Sequence, residues 1–349
     1  MKTSDLVAAS DGRDLGNPPP FLTHAHAQTI WPALRFGGRR SRFQAFRERW
    51  VAPDGDFVDV DRVPNLATGA ALSGAPLLVL FHGLEGSAAS HYVQSFAAMA
   101  AHQGFAFALP HFRGCSGELN TAPRAYHSGD HAEIDWVLRR FKAEVPHRPL
   151  VAVGVSLGGN ALMRWAGLHG SSAGAVVAAV AAISSPLDLR ASGHALGRGF
   201  NRHVYTRMFL NTMRPKALLK WVQHPGLFDR QRLLQARTLY EFDDAFTAPV
   251  HGFADADDYW SRASAKPGLV DVAVPSVLLN ALNDPFVPRE SLPTAREVSK
   301  WVNLWHPGQG GHVGFPATFA GRPWSCHIDA MPAAVVSWLK SHLPHRQPL

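Results

Sequence analysis

Pro149-Leu150-Val151-Ala152-Val153-Gly154-Val155-Ser156-Leu157-Gly158-Gly159-Asn160-Ala161-Leu162-Met163 is the stretch on which the reading of this chain turns. Its first half is a continuous apolar run, the mark of a strand buried on both faces. Its second half, from Leu157 to about Leu168, carries helix-forming residues, with Ala161, Leu162, Met163 and Trp165 among them. Between the two lies Gly154-Val155-Ser156-Leu157-Gly158, a G-x-S-x-G pattern. That spacing suits a serine on a strained strand-to-helix turn, because glycines two residues on either side let strand and helix approach closely and expose the hydroxyl.

Working outward, the same kind of apolar run recurs at Pro76 to Phe81, Gly104 to Pro110, Ala175 to Ile183, Ser276 to Ala281 and Val302 to Trp305. Helical stretches are expected between them at about His91 to His102, Gly129 to Lys142, Arg289 to Ser299 and Ala333 to His342. Strands apolar throughout and alternating with helices predict an α/β fold: a mostly parallel sheet covered by helices on both faces. Arg42 to Val51 and Phe57 to Val63 flank Pro53-Asp54-Gly55-Asp56 and predict an antiparallel hairpin. The alternation stops from Leu187 to Val274, where Pro215 to Val222 and Arg230 to Tyr240 look helical. The expected organisation is therefore an irregular arm over 1–40, a core over 41–186 and 275–349, and a helical cap inserted at 187–274.

A serine hydroxyl needs a positioned base and a group that orients the base. In a sheet of this kind ligand chemistry gathers at the carboxyl ends of the strands. Asp284 follows the run Ser276 to Ala281 in a turn with Pro285, which puts it at that edge. Asp271 precedes the same run and belongs at the opposite edge. His312 sits in Gly308-Gln309-Gly310-Gly311-His312-Val313-Gly314, a loop able to reach over the sheet; His306 is the competitor nearer the strand end. The candidate set is Ser156, Asp284 and His312. Backbone N–H groups of Leu157 and Leu84, the latter in His82-Gly83-Leu84-Glu85-Gly86, are the expected donors to an oxyanion. Phe200, Tyr205, Met208, Phe209 and Leu210 of the insertion are expected to cover the site with apolar surface.

Other chemistries find little support. His127 and His131, with Asp130 and Glu133 nearby, lack the H-E-x-x-H arrangement, and His24 and His26 form no ligand set either, so no metal is expected. There is no G-x-x-x-x-G-K-[ST] and no dinucleotide fingerprint at the first βα unit, so no cofactor is expected. Cys115 and Cys326 are too few for a disulfide framework. The N-terminal residues have no apolar signal core, and the longest apolar run, Ala173 to Ile183, is 11 residues, short of the roughly 20 needed to span a bilayer. A cytoplasmic protein is expected.

Several blocks in order carry a resemblance: Ala27-Gln28-Thr29-Ile30-Trp31-Pro32, His82-Gly83-Leu84-Glu85-Gly86, Phe112-Arg113-Gly114-Cys115-Ser116-Gly117, Tyr126-His127-Ser128-Gly129, Gly154 to Gly159, Phe246-Thr247-Ala248-Pro249, Asn283-Asp284-Pro285-Phe286 and Gly311-His312-Val313-Gly314-Phe315. The chain resembles the YheT-like α/β-hydrolases, the group that also holds the first three ABHD subgroups of eukaryotic lipid hydrolases. The resemblance implies an α/β-hydrolase fold, a triad at Ser156, Asp284 and His312, and hydrolysis of carboxylic esters, acylglycerols and phospholipids being substrates of some members. Where the family usually has Leu before Gln28, this chain has Ala27. Two other readings stay open: acyl transfer to an alcohol or thiol, and a binding protein without turnover.

Composition sets the outer bounds. Over 349 residues, 46% are hydrophobic and 17% charged, against roughly 25% charged in an average domain, which excludes a disordered or coiled-coil chain. The net charge is +7, with a sequence pI of about 9.7. Basicity without a recognised motif does not argue for nucleic acid. The excess is local: between Leu189 and Phe228 there is no Asp or Glu, while Arg190, Arg198, Arg202, Arg207, Arg214, Lys216 and Lys220 supply seven positive charges. The expected partner is a small-molecule or lipid ester, and the basic cap reads either as a solvated helix face or as a surface that meets anionic membranes or phosphate-bearing substrates.

Overall fold

A computed structural model describes residues 15–37, 45–63 and 74–344; the rest of the expected arm and the first residues of the expected hairpin lie outside them. Eight strands form one sheet: β1 (Phe46–Val51), β2 (Phe57–Val63), β3 (Leu77–Phe81), β4 (Ala106–Pro110), β5 (Leu150–Val155), β6 (Ala179–Ile183), β7 (Ser276–Leu279) and β8 (Val302–Trp305). Their order is β1-β2-β4-β3-β5-β6-β7-β8. β1 and β2 pair antiparallel, as does β2 with β4, and every other pairing is parallel. Register sets the position of the site. Phe81 pairs with Gly154, Val155 with Ile183, Ile183 with Leu279 and Leu279 with Trp305, so five parallel strands end level and release their loops along one edge.

Side chains alternate across the sheet, and each face has its own core. Leu77, Val79, Phe81 and Ala152 meet α3 (His131–Glu144) and α4 (Leu157–His169) through Ile134, Val137, Phe141, Met163 and Trp165. On the other face Leu78, Leu80, Val151 and Val153 meet Val93 and Phe96 of α2 (His91–His102) and Val335 and Leu339 of the closing helix, Ala330–Ser341. Each such side chain, fully buried, contributes about 1.5–3 kcal/mol.

Between β6 and β7 the chain forms helices and no strand. They include α5 (Leu189–Leu196), α6 (Arg207–Gln223), α7 (Arg230–Gln235) and α8 (Ala256–Ala263). Two stretches, Arg202–Thr206 and Asp243–Thr247, are π-helical. The insertion has an apolar cluster of its own, including Tyr205, Leu210, Phe228, Leu233, Phe242 and Phe246, which also takes in Phe286 from the loop after β7.

Several boundaries differ from the sequence reading. The arm is not irregular throughout: Ala25–Phe36 is a helix, with Pro32 tolerated inside it. Ala175 begins no strand, because Gly170–Ala175 is a 3-10 turn and β6 starts at Ala179. No helix spans Arg289 to Ser299. Pro293 interrupts it, Arg289–Ser291 is a single 3-10 turn, and Thr294 N–H donates to Glu297 Oε2 at 2.8 Å in a local turn. A hairpin of β9 (Ala317–Phe319) and β10 (Arg322–His327) follows the last loop, unanticipated in the sequence. Among the described residues no helix is long and apolar enough to cross a membrane.

Burial changes what acid does to this molecule. Burial lowers four imidazoles from their ordinary 6.5: His82 and His127 to about 3, His91 and His306 to about 4. The folded state therefore refuses protons that the unfolded chain accepts. The stabilisation is complete above pH 6.5 and is lost as pH falls toward 4, by about 1.4 kcal/mol per pH unit for each histidine. Asp243, raised to about 6, and Glu133, raised to about 7, both by burial, work in the opposite sense, two groups against four. The urea midpoint is expected to fall steeply between pH 6.5 and 4.5; a flat midpoint over that range would contradict these protonation states.

Candidate active site

Ser156 stands between β5 and α4 with φ 52° and ψ −117°, in the left-handed half of backbone space that a residue with a Cβ seldom enters. Its own N–H donates to Ile183 O at 2.8 Å, which ties the turn to β6. Close approach explains the flanking glycines. A Cβ on Gly158 would lie 2.5 Å from Phe81 O and 2.6 Å from His82 O, and one on Gly154 would lie 2.5 Å from Gly158 O.

The loops after β7 and β8 bring the other two candidates to the serine. His312 Nε2 is 3.0 Å from Ser156 Oγ, and His312 Nδ1 is 2.9 Å from Asp284 Oδ2 and 3.1 Å from Oδ1. An ionised carboxylate only accepts, so Nδ1 carries the proton and the Nε2 lone pair faces the serine hydroxyl. Asp284 is held in turn: its Oδ1 accepts from Phe286 N–H at 2.8 Å and from Val287 N–H at 3.3 Å. Phe286 stacks on the imidazole with ring centroids 4.0 Å apart. His306, the competitor, is buried with Nε2 lacking a partner among the described residues, and Asp271 is exposed ahead of β7.

The loop after β3 is braced on three sides. Gly83 N–H donates to Tyr92 Oη at 2.9 Å, Glu85 N–H to Tyr126 Oη at 2.9 Å, and Gly86 N–H to Gly83 O at 2.9 Å. The Leu84 amide between them has no protein acceptor among the described residues, and Leu84 and Leu157 both border the cavity that contains Ser156 and His312. His82 fixes the base of the loop. Its Nε2 accepts from Phe112 N–H at 3.1 Å, so the proton is on Nδ1, which donates to Gly83 O at 2.7 Å. Glu85 reaches the insertion, where Lys216 Nζ lies 2.9 Å from its carboxylate.

The cavity, about 100 Å³ in volume, is mainly apolar, with Leu189, Leu196, Phe209, Met213 and Leu239 contributed by the insertion. Of the five residues expected to cover the site, Phe209 borders it. Tyr205 packs edge-on against Phe286 at 4.5 Å, Leu210 is buried inside the insertion, and Phe200 and Met208 are exposed, because the helix turns those faces away. One end of the cavity is polar. Asp243 accepts from Thr247 Oγ1 at 2.6 Å and Trp260 Nε1 at 2.8 Å, and the buried Ser192 hydroxyl has no partner among the described residues.

A family model described as alpha/beta hydrolase fold matches residues 76–316. The chain belongs to the α/β-hydrolase family. It is 36% identical over 316 residues, 88% of this chain and 91% of the other, to the Escherichia coli protein called "Putative esterase YheT". It is 26% identical over 355 residues, 95% of this chain and 85% of the other, to the human protein called "Phospholipase ABHD3". Among solved structures, Pyrococcus furiosus esterase Pf2001 superposes with a TM-score of 0.54 at 14% identity, covering 95% of this chain and 100% of that one, a likeness of fold.

In this member of the α/β-hydrolase family, the sequence reading assigned no role to Gln28 and Thr29 of the arm, which reach the acid and histidine loops. It also assigned no role to His82, Tyr92 or Tyr126. His127 and His131 form no metal cluster, nor does any group of three ligand-type residues among the described residues. Both cysteines are free thiols, and burial raises Cys115 to about 12. The seven positive charges of the insertion are not one solvated face. Lys220 is buried and donates to Asn120 O at 2.6 Å and Ala122 O at 2.9 Å, Arg214 donates to Ala236 O, Lys216 pairs with Glu85, and Arg190 lies 3.0 Å from Asp257.

Gly158→Ala tests the elbow. The new Cβ meets two backbone carbonyls that cannot swing aside, so a loss of about 1–3 kcal/mol in stability is expected from overpacking, together with loss of reactivity at Ser156. Denaturant titration reads the first and fluorophosphonate labelling the second.

Proposed function

We propose that this protein is a serine hydrolase that cleaves carboxylic esters through an acyl-enzyme. The observation that carries the reading is the single imidazole bridging two loops, Nε2 at 3.0 Å from Ser156 Oγ and Nδ1 at 2.9 Å from Asp284. As Ser156 Oγ bonds to the ester carbonyl carbon, its proton passes to His312 Nε2, and Asp284 stabilises the imidazolium without taking the proton. The carbonyl electrons move to oxygen, where the amides of Leu84 and Leu157 are the donors. The intermediate collapses with cleavage of the bond to the alcohol oxygen, which leaves with the proton from His312. Water then repeats the sequence on the acyl-enzyme and frees the acid and Ser156.

The cavity supports a substrate class. Apolar walls from Leu189, Leu196, Phe209, Met213 and Leu239 suit a hydrocarbon chain. Relatives named as an esterase and a phospholipase support ester chemistry, and lipid esters are the substrates best matched to these walls.

Membrane contact, if made by the insertion, falls to Arg198, Arg202 and Arg207. These are exposed and, among the described residues, their side chains have no ion pair; Phe200 and Met208 are exposed on the same helical stretch. Binding to anionic vesicles is expected to weaken with salt and to drop when the three arginines are replaced by glutamine. Binding that survives both would remove this contact.

For the chemistry, wild type is expected to take a fluorophosphonate label and to turn over p-nitrophenyl esters with a preference for longer acyl chains. Ser156→Ala abolishes both, and Asp284→Asn lowers kcat by about 10⁴-fold while leaving the label site intact. Turnover that persists in Ser156→Ala would overturn the proposal. So would a wild type that neither labels nor hydrolyses, which is the behaviour of a binding protein.

A further inference from the structure

The arm helix α1 (Ala25–Phe36) lies outside the stretch matched by the family model, yet its side chains end among the loops of the site. Gln28 is fully buried, and its amide is saturated. Nε2 donates to Leu22 O at 2.8 Å and to Gln309 Oε1 at 2.7 Å. Oε1 accepts from Asn283 Nδ2 at 2.9 Å and from Gly310 N–H at 2.9 Å. Both donors and both acceptor positions of one amide are thus used on the arm, the acid turn and the histidine loop.

Thr29 acts one residue further on. Its hydroxyl donates to Ala25 O at 2.9 Å, which leaves a lone pair to accept the backbone N–H of His312 at 2.9 Å. Asn283 closes the circuit, its Oδ1 accepting from Gly311 N–H at 3.0 Å. These bonds grip the residue before the acid, the two residues before the base, and the base's own amide. A glycine-rich loop such as Gly308-Gln309-Gly310-Gly311 would otherwise leave the imidazole free to drift. Misplacement by about 1 Å is enough to cost of the order of a hundredfold in rate.

We infer that Gln28 and Thr29 are positioning residues of the hydrolytic site, the arm helix locking His312 and Asp284 into mutual register. The inference rests on the proposed esterase chemistry for its rate effect, but the geometry it assigns can be read without turnover. In this arrangement the arm touches neither Ser156 nor substrate and acts through the loop backbones.

The test compares Thr29→Val, which keeps the shape and removes the acceptor, with Thr29→Ser, which restores it. Thr29→Val is expected to lower kcat by about tenfold to a hundredfold with KM changed by less than about threefold, and to slow fluorophosphonate labelling in parallel. Thr29→Ser is expected to recover most of both. Hydrogen exchange of residues 307–316 rises in Thr29→Val and not in Thr29→Ser. Asn283→Ala, at a half-buried position, gives the same kcat loss and the same local exchange if Thr29→Val does not fold. A folded Thr29→Val with wild-type kcat and unchanged loop exchange overturns the inference, as does a Thr29→Ser as poor as Thr29→Val. Failure of the esterase reading looks different: wild type is then inert toward probe and ester, while the loop exchange still reports whether the arm holds His312.

Discussion

The left-handed backbone of Ser156 is the constraint from which the site is built. A residue with a Cβ at φ 52° is strained by about 1–2 kcal/mol, and the surrounding structure must hold it there. The hold comes from the Ile183 carbonyl on one side and from the tight seat of α4 against the ends of β3 and β5 on the other, which is why glycine stands at 154 and 158. With the serine so placed, level strand ends bring the other loops to it. Asp284 and His312 need only short reaches from β7 and β8 to meet Ser156.

Charge follows the same economy of placement. Lys220 is a cation sealed among backbone carbonyls, and burial lowers it to about 8; Lys216 spans from the insertion to the loop beside Leu84. Arg113 is likewise buried, with Asp54 at 2.7 Å, Asp56 at 2.8 Å and Glu133 at 2.5 Å. Such pairs add little to net stability, since desolvation offsets most of the attraction, but breaking one leaves a buried charge without its partner. A formal charge of +7 therefore describes composition more than the field a ligand meets.

The parallel sheet was legible because strands buried on both faces must be apolar at every position, and such runs stand out in Leu77–Phe81, Leu150–Val155 and Ala179–Ile183. Ser156, Asp284 and His312 were legible because each follows a strand in chain order. The arm helix was hidden by Pro18, Pro19, Pro20 and the pair Gly37-Gly38, which read as breaks. β9 and β10 carry no periodic signal, since Phe319 and Trp324 are exposed and no face of that hairpin is uniformly buried. Gln28 and Thr29 escaped for another reason. Their partners at Gly310 and His312 lie 282 and 283 residues away, and a local pattern holds no trace of such a contact.

The two π-helical stretches give the insertion a property that regular helices lack. A π turn accommodates one residue more than an α turn, so the side chains beyond it are rotated by about 100° relative to those before it. In the run from Gly199 to Gln223, the side preceding the π turn presents His26 of the arm with Phe200, and the side after it presents Phe209 and Met213 to the cavity. From Leu239 to His251, Leu239, Asp243 and Thr247, spaced four apart, share one wall of the cavity while Phe242 and Phe246 stay in the apolar cluster. Each helix thus serves two surfaces. The register of the cavity wall is set by residue count within the turn, and length there is as informative as identity.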